Sequence, residues 1–77
     1  MGGVSIMAPE KLIMMANQIG TFFRAQDEEG APAAIAEHLK KFWDPHMRSS
    51  LIAYHEGGGA ALAPLVARAV ELLGSKT

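Results

Sequence analysis

The sequence predicts an all-α protein, a small bundle of about four short helices within a single domain spanning residues 1–77. Ala, Leu and Met number 25, whereas Val, Ile and Thr number 10, a balance that favours helix over strand. Prolines stand at the heads of the apolar-periodic segments and glycines mostly at their ends, as expected at the two termini of helices. This punctuation predicts helices at about residues 8–25, 32–43, 45–56 and 62–73.

The first helix has the clearest apolar period. Its residues recur at three- and four-residue steps and form one stripe that we expect to face the core. The stripe consists of Leu12, Met15, Ala16, Ile19, Phe22 and Phe23. Met14 falls on the polar side, and Ile13 and Gly20 flank the stripe. Gly20 should let a neighbouring helix approach closely, because it has no side chain.

The second and third helices are separated by a proline. The acidic stretch Asp27–Glu29 precedes the second helix and should be solvated. That helix should bury Ile35, Leu39 and Phe42, with Trp43 beside them. Because the residue before a proline avoids helical geometry, Asp44 should end the helix and act as the N-cap of the third.

The last two helices are joined by a glycine-rich segment. The third helix should bury Met47, Leu51 and Tyr54, with Ile52 facing another way, and Gly57–Gly59 should form a flexible linker. The fourth helix presents a broad apolar face. Its members are Leu62, Leu65, Val66, Ala69, Leu72 and Leu73.

Composition excludes several classes of protein. There is no cysteine, hence no disulfide framework and no thiolate metal site. Net charge is −1 and the basic residues are scattered, so we expect no nucleic-acid partner. The longest apolar stretch, from Leu12 to Ala16, is far shorter than the ~20 residues of a membrane span. The beginning of the chain does not resemble a secretion signal, and we expect a cytoplasmic protein.

No constellation of residues predicts catalysis or cofactor binding. The three histidines lack the close spacing of zinc ligands on a helix. The glycine run lacks the Gly-Lys-Ser/Thr ending of a phosphate loop. Ser50 and His46 share a helix face, but no third group is evident to orient the imidazole. We therefore predict no catalytic, cofactor-binding or metal-binding residue.

The sequence Phe42-Trp43-Asp44-Pro45 supports two interpretations. It can be a packed corner between helices in which Trp43 covers the core. It can also be a binding anchor, since Trp is enriched among the residues that dominate protein interfaces. Both interpretations can hold for a large ring on a small domain, and the sequence leaves them open.

Four segments together resemble a known family. They are Met15-Ala16-Asn17-Gln18-Ile19-Gly20-Thr21-Phe22-Phe23, then Ile35-Ala36-Glu37-His38-Leu39, then Phe42-Trp43-Asp44-Pro45-His46-Met47-Arg48, and Leu62-Ala63-Pro64-Leu65-Val66 follows as the start of the last helix. The chain is similar, over roughly residues 5–73, to the delta subunit of NAD-dependent formate dehydrogenases, soluble molybdenum or tungsten enzymes. The block from Phe42 to Arg48 is the most specific part of this resemblance.

The resemblance implies an accessory role. In such enzymes the alpha subunit carries the molybdopterin cofactor and iron–sulfur clusters, beta carries flavin and the NAD site, and gamma a further cluster. The delta subunit carries no cofactor motif and supports assembly or maintenance of the active complex. The implied partner is the catalytic (alpha) subunit, with beta and gamma as further candidates. Two alternatives stay open: a transient maturation factor for molybdenum cofactor insertion, and a small ligand-binding helical module.

A docking surface can be proposed from the apolar residues that the helical stripes leave over. Ile13, Met14, Trp43 and Arg48 form this hypothesis. Methionine adapts to a partner's shape, and Arg48 could pair with a carboxylate at the interface rim. We also expect the free chain to self-associate, because a docking surface without its partner exposes apolar area.

Overall fold

A computed structural model describes residues 9–74, which fold into four α-helices. Helix α1 spans Pro9–Gln26, α2 spans Ala31–Phe42, α3 spans Pro45–Glu56 and α4 spans Pro64–Gly74. These 66 residues contain no β-strand. The all-α prediction is confirmed, and the bounds of each helix lie within two residues of those predicted. Residue 8, the predicted start of the first helix, lies outside the described residues.

The helices enclose one apolar core. Helix α1 contacts the other three helices, and α2 and α4 pack most extensively against each other. The core side chains come from all four helices and from two of the connections. They are Leu12, Ile13, Ala16, Ala31, Ile35, Leu39, Trp43, Leu51, Leu62, Val66, Ala69 and Val70.

Helices α1 and α4 approach closely at Gly20. A Cβ atom built on Gly20 would lie 2.5 Å from Cγ2 of Val66, closer than two carbon atoms can pack. The prediction that Gly20 admits a neighbouring helix is therefore confirmed, and that helix is α4.

The α2–α3 connection is short and capped. Trp43 and Asp44 both adopt extended backbone conformations, which end α2 before Pro45. The Asp44 carboxylate accepts a hydrogen bond from the backbone N–H of Met47 at 2.8 Å. The predicted N-cap is confirmed.

The α3–α4 connection turns on glycine. Gly58 and Gly59 have φ angles of +130° and +56°, conformations that other residues rarely adopt. The prediction of a linker at residues 57–59 is confirmed.

Several predictions of which side chains are buried were wrong. Ile13 belongs to the core, and so does Val70, which the predicted stripe of the fourth helix omitted. Phe22, Phe42 and Leu72, in contrast, are exposed. Ile52 is partly buried and packs against the core rather than facing away from it.

The backbone conformation at the end of α2 explains why Trp43 is buried and Phe42 is exposed. Helix α2 ends at Phe42, and Trp43 follows with φ −95° and ψ 140°. This extended residue carries the indole into the core, where it is 5% exposed, while the Phe42 ring stays on the outer side of the last helical turn at 71% exposure. The interpretation of Trp43 as part of a packed corner is confirmed.

Candidate functional site

Of the four residues proposed from sequence as a partner surface, only Met14 is exposed rather than buried or partly buried. Its side chain is 53% accessible, as expected from its place among polar neighbours. Ile13 and Trp43 are buried in the core, so the premise that the core leaves them over is wrong. The reason is that the buried arc of α1 extends past the predicted stripe to Ile13, and Trp43 turns inward after α2.

Arg48 is partly buried and has a structural partner. Its Nη1 donates hydrogen bonds to the backbone carbonyls of Lys40, at 3.1 Å, and of Trp43. Carbonyls at a helix C-terminus lack partners within the helix and carry partial negative charge. Arg48 therefore closes the end of α2 and fastens it to α3, whereas the sequence hypothesis gave it a carboxylate of a partner protein.

Asn17 has a comparable structural role at another connection between helices. Its amide nitrogen donates to the carbonyl of Ala61 at 3.0 Å, and its amide oxygen accepts from the N–H of Ala63 at 2.9 Å. The hydroxyl of Tyr54 accepts from the N–H of Ala61 at 3.0 Å. The α3–α4 connection is thus held by side chains of α1 and α3. Asn17 lies in one of the segments that carry the family resemblance, and Arg48 lies in another.

The exposed aromatic side chains form a continuous row across α1 and α2. The rings of Phe22 and Phe23 meet edge to face with centroids 5.1 Å apart. Phe23 contacts the imidazole of His38 at 5.8 Å, and His38 contacts Phe42 at 4.8 Å. Phe22 and Phe42, at the two ends of the row, are 58% and 71% exposed.

A shallow groove of about 430 Å³ runs along this row and is open to solvent. Its walls are almost entirely apolar. It is lined by Met15, Gln18, Ile19, Phe22, Phe23 and His38. We call the combined surface of Met15, Ile19, Phe22, Phe23, His38 and Phe42 the aromatic face. A contiguous apolar surface rich in Phe and Met is typical of protein–protein interfaces.

Sequence reasoning assigned Phe22 and Phe42 to the core and so missed the aromatic face. Both residues continue the three- and four-residue spacing of buried positions, and spacing alone cannot separate a core stripe from an adjoining exposed one. One signal was available. The apolar residues of α1 extend from Met15 round to Ile13, covering more of the helix surface than one core contact requires.

The structure brings together no cluster typical of catalysis or metal binding in the part of the chain that it describes. Residues 9–74 contain no group of three or more His, Cys, Asp or Glu side chains that could hold a metal ion. His55 Nε2 lies 3.2 Å from Oε2 of Glu71, which joins α3 to α4. Within the same range, no side-chain hydrogen bond joins Ser50 to His46. None of the four described helices is both long and apolar enough to cross a membrane.

Comparison with known protein families gives one match. Residues 11–70 match the model of the NADH-dependent formate dehydrogenase delta subunit, FdsD. This chain belongs to the FdsD family. The matched region runs from the first turn of α1 to the middle of α4, so it includes most of the four-helix fold and the whole aromatic face.

Membership in the FdsD family makes the chain a subunit of a larger enzyme. A delta subunit associates with the other subunits of its complex, and this family is one of accessory subunits. The resemblance noted from sequence is confirmed. Searches among curated proteins and among solved structures found no significant match to the chain.

Proposed function

We propose that this delta subunit is a non-catalytic accessory subunit that binds the catalytic (alpha) subunit of formate dehydrogenase through its aromatic face. In this role it supports assembly or maintenance of the active complex in the cytoplasm. The supporting observation is the exposure of Phe22 and Phe42 on a chain whose core is complete without them. Exposed apolar surface of this kind lowers the solubility of a free protein, and its burial against a partner is favourable.

The catalytic subunit is the partner that we propose for this surface. Aromatic side chains concentrate at the centres of interfaces, where full desolvation makes each ring worth more than a rim contact. No charged side chain lines the groove. An apolar ridge or an apolar helix face on the partner would be complementary to such a surface. Beta and gamma subunits remain further candidates, and Met14 is a candidate for additional contact beside the aromatic face.

The role of a small ligand-binding module has less support. The groove is open along its length, so a small molecule would keep much of its surface in water, whereas ligand sites typically bury 70–90% of a ligand. A maturation factor would use the same aromatic face as a permanent subunit. The two differ in whether the chain remains, in stoichiometric amount, in the purified active enzyme.

Co-expression with the other formate dehydrogenase subunits tests the proposal. We expect Phe42→Ser to reduce recovery of the catalytic subunit with the tagged delta subunit by roughly tenfold or more, since aromatic hot spots contribute about 2 kcal/mol. Melting temperature of the free variant should change little, because the ring is 71% exposed.

Met14→Ser is the matched control for this experiment. It removes an exposed apolar side chain of similar size from the same pair of helices but outside the groove. Recovery should fall far less than for Phe42→Ser. Equal losses for both variants would place the docking surface on the Met14 side of α1, and unchanged recovery for both would contradict the proposed face.

A further inference from the structure

The aromatic face lies between two ends of opposite charge. Beyond Phe22, the chain enters the α1–α2 connection, where the exposed stretch Asp27–Glu29 forms an acidic end. At the other end of the row, Lys40 and Lys41 immediately precede Phe42 in the last turn of α2 and are also exposed. The row of rings therefore joins an acidic end to a basic end.

Each end also contains charge of the opposite sign. At the acidic end, Arg24 approaches Glu28 at 4.0 Å, in a largely exposed pair. At the basic end, the Asp44 carboxylate caps α3. Glu29 and Lys41 have no ion-pair partner within residues 9–74. Both are therefore available to a charged group on another molecule.

We infer that the free chain forms a two-fold symmetric dimer through the aromatic face. In a two-fold interface the same patch meets itself. With the two-fold axis perpendicular to the row, each end of the row faces the opposite end of the second copy. Phe22 of one copy would then lie near Phe42 of the other, and each acidic end would face a basic end. The charge distribution is self-complementary in this antiparallel arrangement, and each dimer contains the favourable contact twice.

The size of the aromatic face predicts a weak dimer. It comprises six side chains per copy, fewer than the 20–30 residues per side of a standard stable interface. The dimer should therefore form at high concentration and dissociate on dilution. A partner that covers the same face with a larger interface would displace the second copy. This inference concerns the chain before it joins the enzyme and goes beyond the proposed function.

Sedimentation of the free, full-length chain over a wide concentration range tests the dimer. We expect a reversible monomer–dimer equilibrium whose dissociation constant rises roughly tenfold for Phe42→Ser and changes little for the control Met14→Ser. Added salt should also weaken the dimer, because the charged ends are exposed to solvent. A chain that stays monomeric at every concentration would overturn the inference.

Charge reversal tests the antiparallel arrangement. Lys41→Glu alone and Glu29→Lys alone should each weaken self-association, since each variant opposes two like charges at both ends of the dimer. An equimolar mixture of the two variants should associate at least as well as the original chain, because opposite charges then face each other at both ends. If the mixture associates no better than either variant alone, the antiparallel dimer is wrong.

These outcomes are separable from those of the proposed function. Sedimentation uses the free chain only, so its failure leaves binding to the catalytic subunit to be judged by co-expression. If Phe42→Ser abolishes the dimer but the variant still recovers the catalytic subunit, the dimer inference is supported and the proposed docking face is refuted.

Discussion

Asn17 is a side chain that links distant parts of the sequence. Its amide satisfies one donor and one acceptor in the backbone of the α3–α4 connection, 44 and 46 residues further along the chain. Both requirements match the chemistry of an amide, and no other side chain of that size offers one donor and one acceptor in this geometry. Asn17 therefore specifies how the connection packs against α1.

Asn17→Asp isolates one of these two hydrogen bonds. The carboxylate can still accept from the N–H of Ala63, but it loses the donor and turns a negative oxygen towards the carbonyl of Ala61. We expect the free energy of unfolding to fall by about 1–3 kcal/mol at neutral pH, measured by urea denaturation. A variant as stable as the original chain would show that the connection is held without Asn17.

Asp44 provides a second prediction at the scale of single residues. Asp44→Ala removes the acceptor for the N–H of Met47 and should lower the free energy of unfolding by on the order of 1 kcal/mol. Asp44→Asn, which keeps an acceptor, should restore most of that loss. If Asp44→Ala keeps full stability and yet abolishes complex formation, Asp44 acts at the interface instead.

The two residues differ in how far sequence could predict them. Asp44 obeys a local rule, because the position before Pro45 must leave the helix and an Asp there can cap the next one. Asn17 gave no such signal, since its partners are remote in sequence and are backbone atoms of a glycine-linked loop. Trp43 was only partly predictable. Its burial depends on its own extended backbone conformation after the end of α2.

At the scale of helices, the contact between α1 and α4 depends on the absence of a side chain at Gly20. Alanine in an exposed helical site would usually be more stable than glycine by up to about 1 kcal/mol. Here its Cβ would overlap Val66, and overpacking of a core typically costs about 1–3 kcal/mol.

We therefore expect Gly20→Ala to lower the melting temperature despite the better helix propensity of alanine. Val66→Ala alone should also destabilise the chain, because Val66 is fully buried. In the double variant the penalty for Gly20→Ala should shrink or reverse, as a double-mutant cycle would reveal. Strictly additive losses would mean that the two helices can separate slightly at no cost.

The positions of the helices could be predicted from proline and glycine residues more reliably than the faces that the helices bury. Pro45 and Pro64 stand at the first position of α3 and α4, and the bounds could be predicted to within two residues. The faces depend on how neighbouring helices cross, which no single helix encodes. For this reason Val70, which is 1% exposed, was missed, and Leu72 was wrongly assigned to the core.

At the scale of the whole molecule, the core and the aromatic face are formed by adjoining parts of the same apolar arc. Ala16 and Ile35 are fully buried, while Phe22 and Phe42 belong to the same two helices and lie in solvent. The sequence could predict an excess of apolar surface and the family that uses it. It could not divide that surface between the core and the exposed aromatic face, because the division depends on the packing of α1 against α2.

The segments that carry the family resemblance contain two kinds of residue, those that stabilise the fold and those exposed on the aromatic face. Asn17, Gly20, Trp43, Asp44 and Arg48 form the fold through hydrogen bonds and close packing. Their substitution should disturb the complex through loss of stability. Substitution at the exposed aromatic positions should disturb the complex with the stability of the free chain nearly intact.

Site-specific photocrosslinking in the assembled complex tests the central claim most directly. A photoreactive phenylalanine analogue would replace Phe42, Phe22 or, as a control on the outer side of α4, the exposed Arg68. The account predicts covalent adducts with the catalytic subunit from positions 42 and 22, and none from position 68. Adducts from position 68 alone, or an intact complex without adducts from either aromatic position, would contradict docking through the aromatic face.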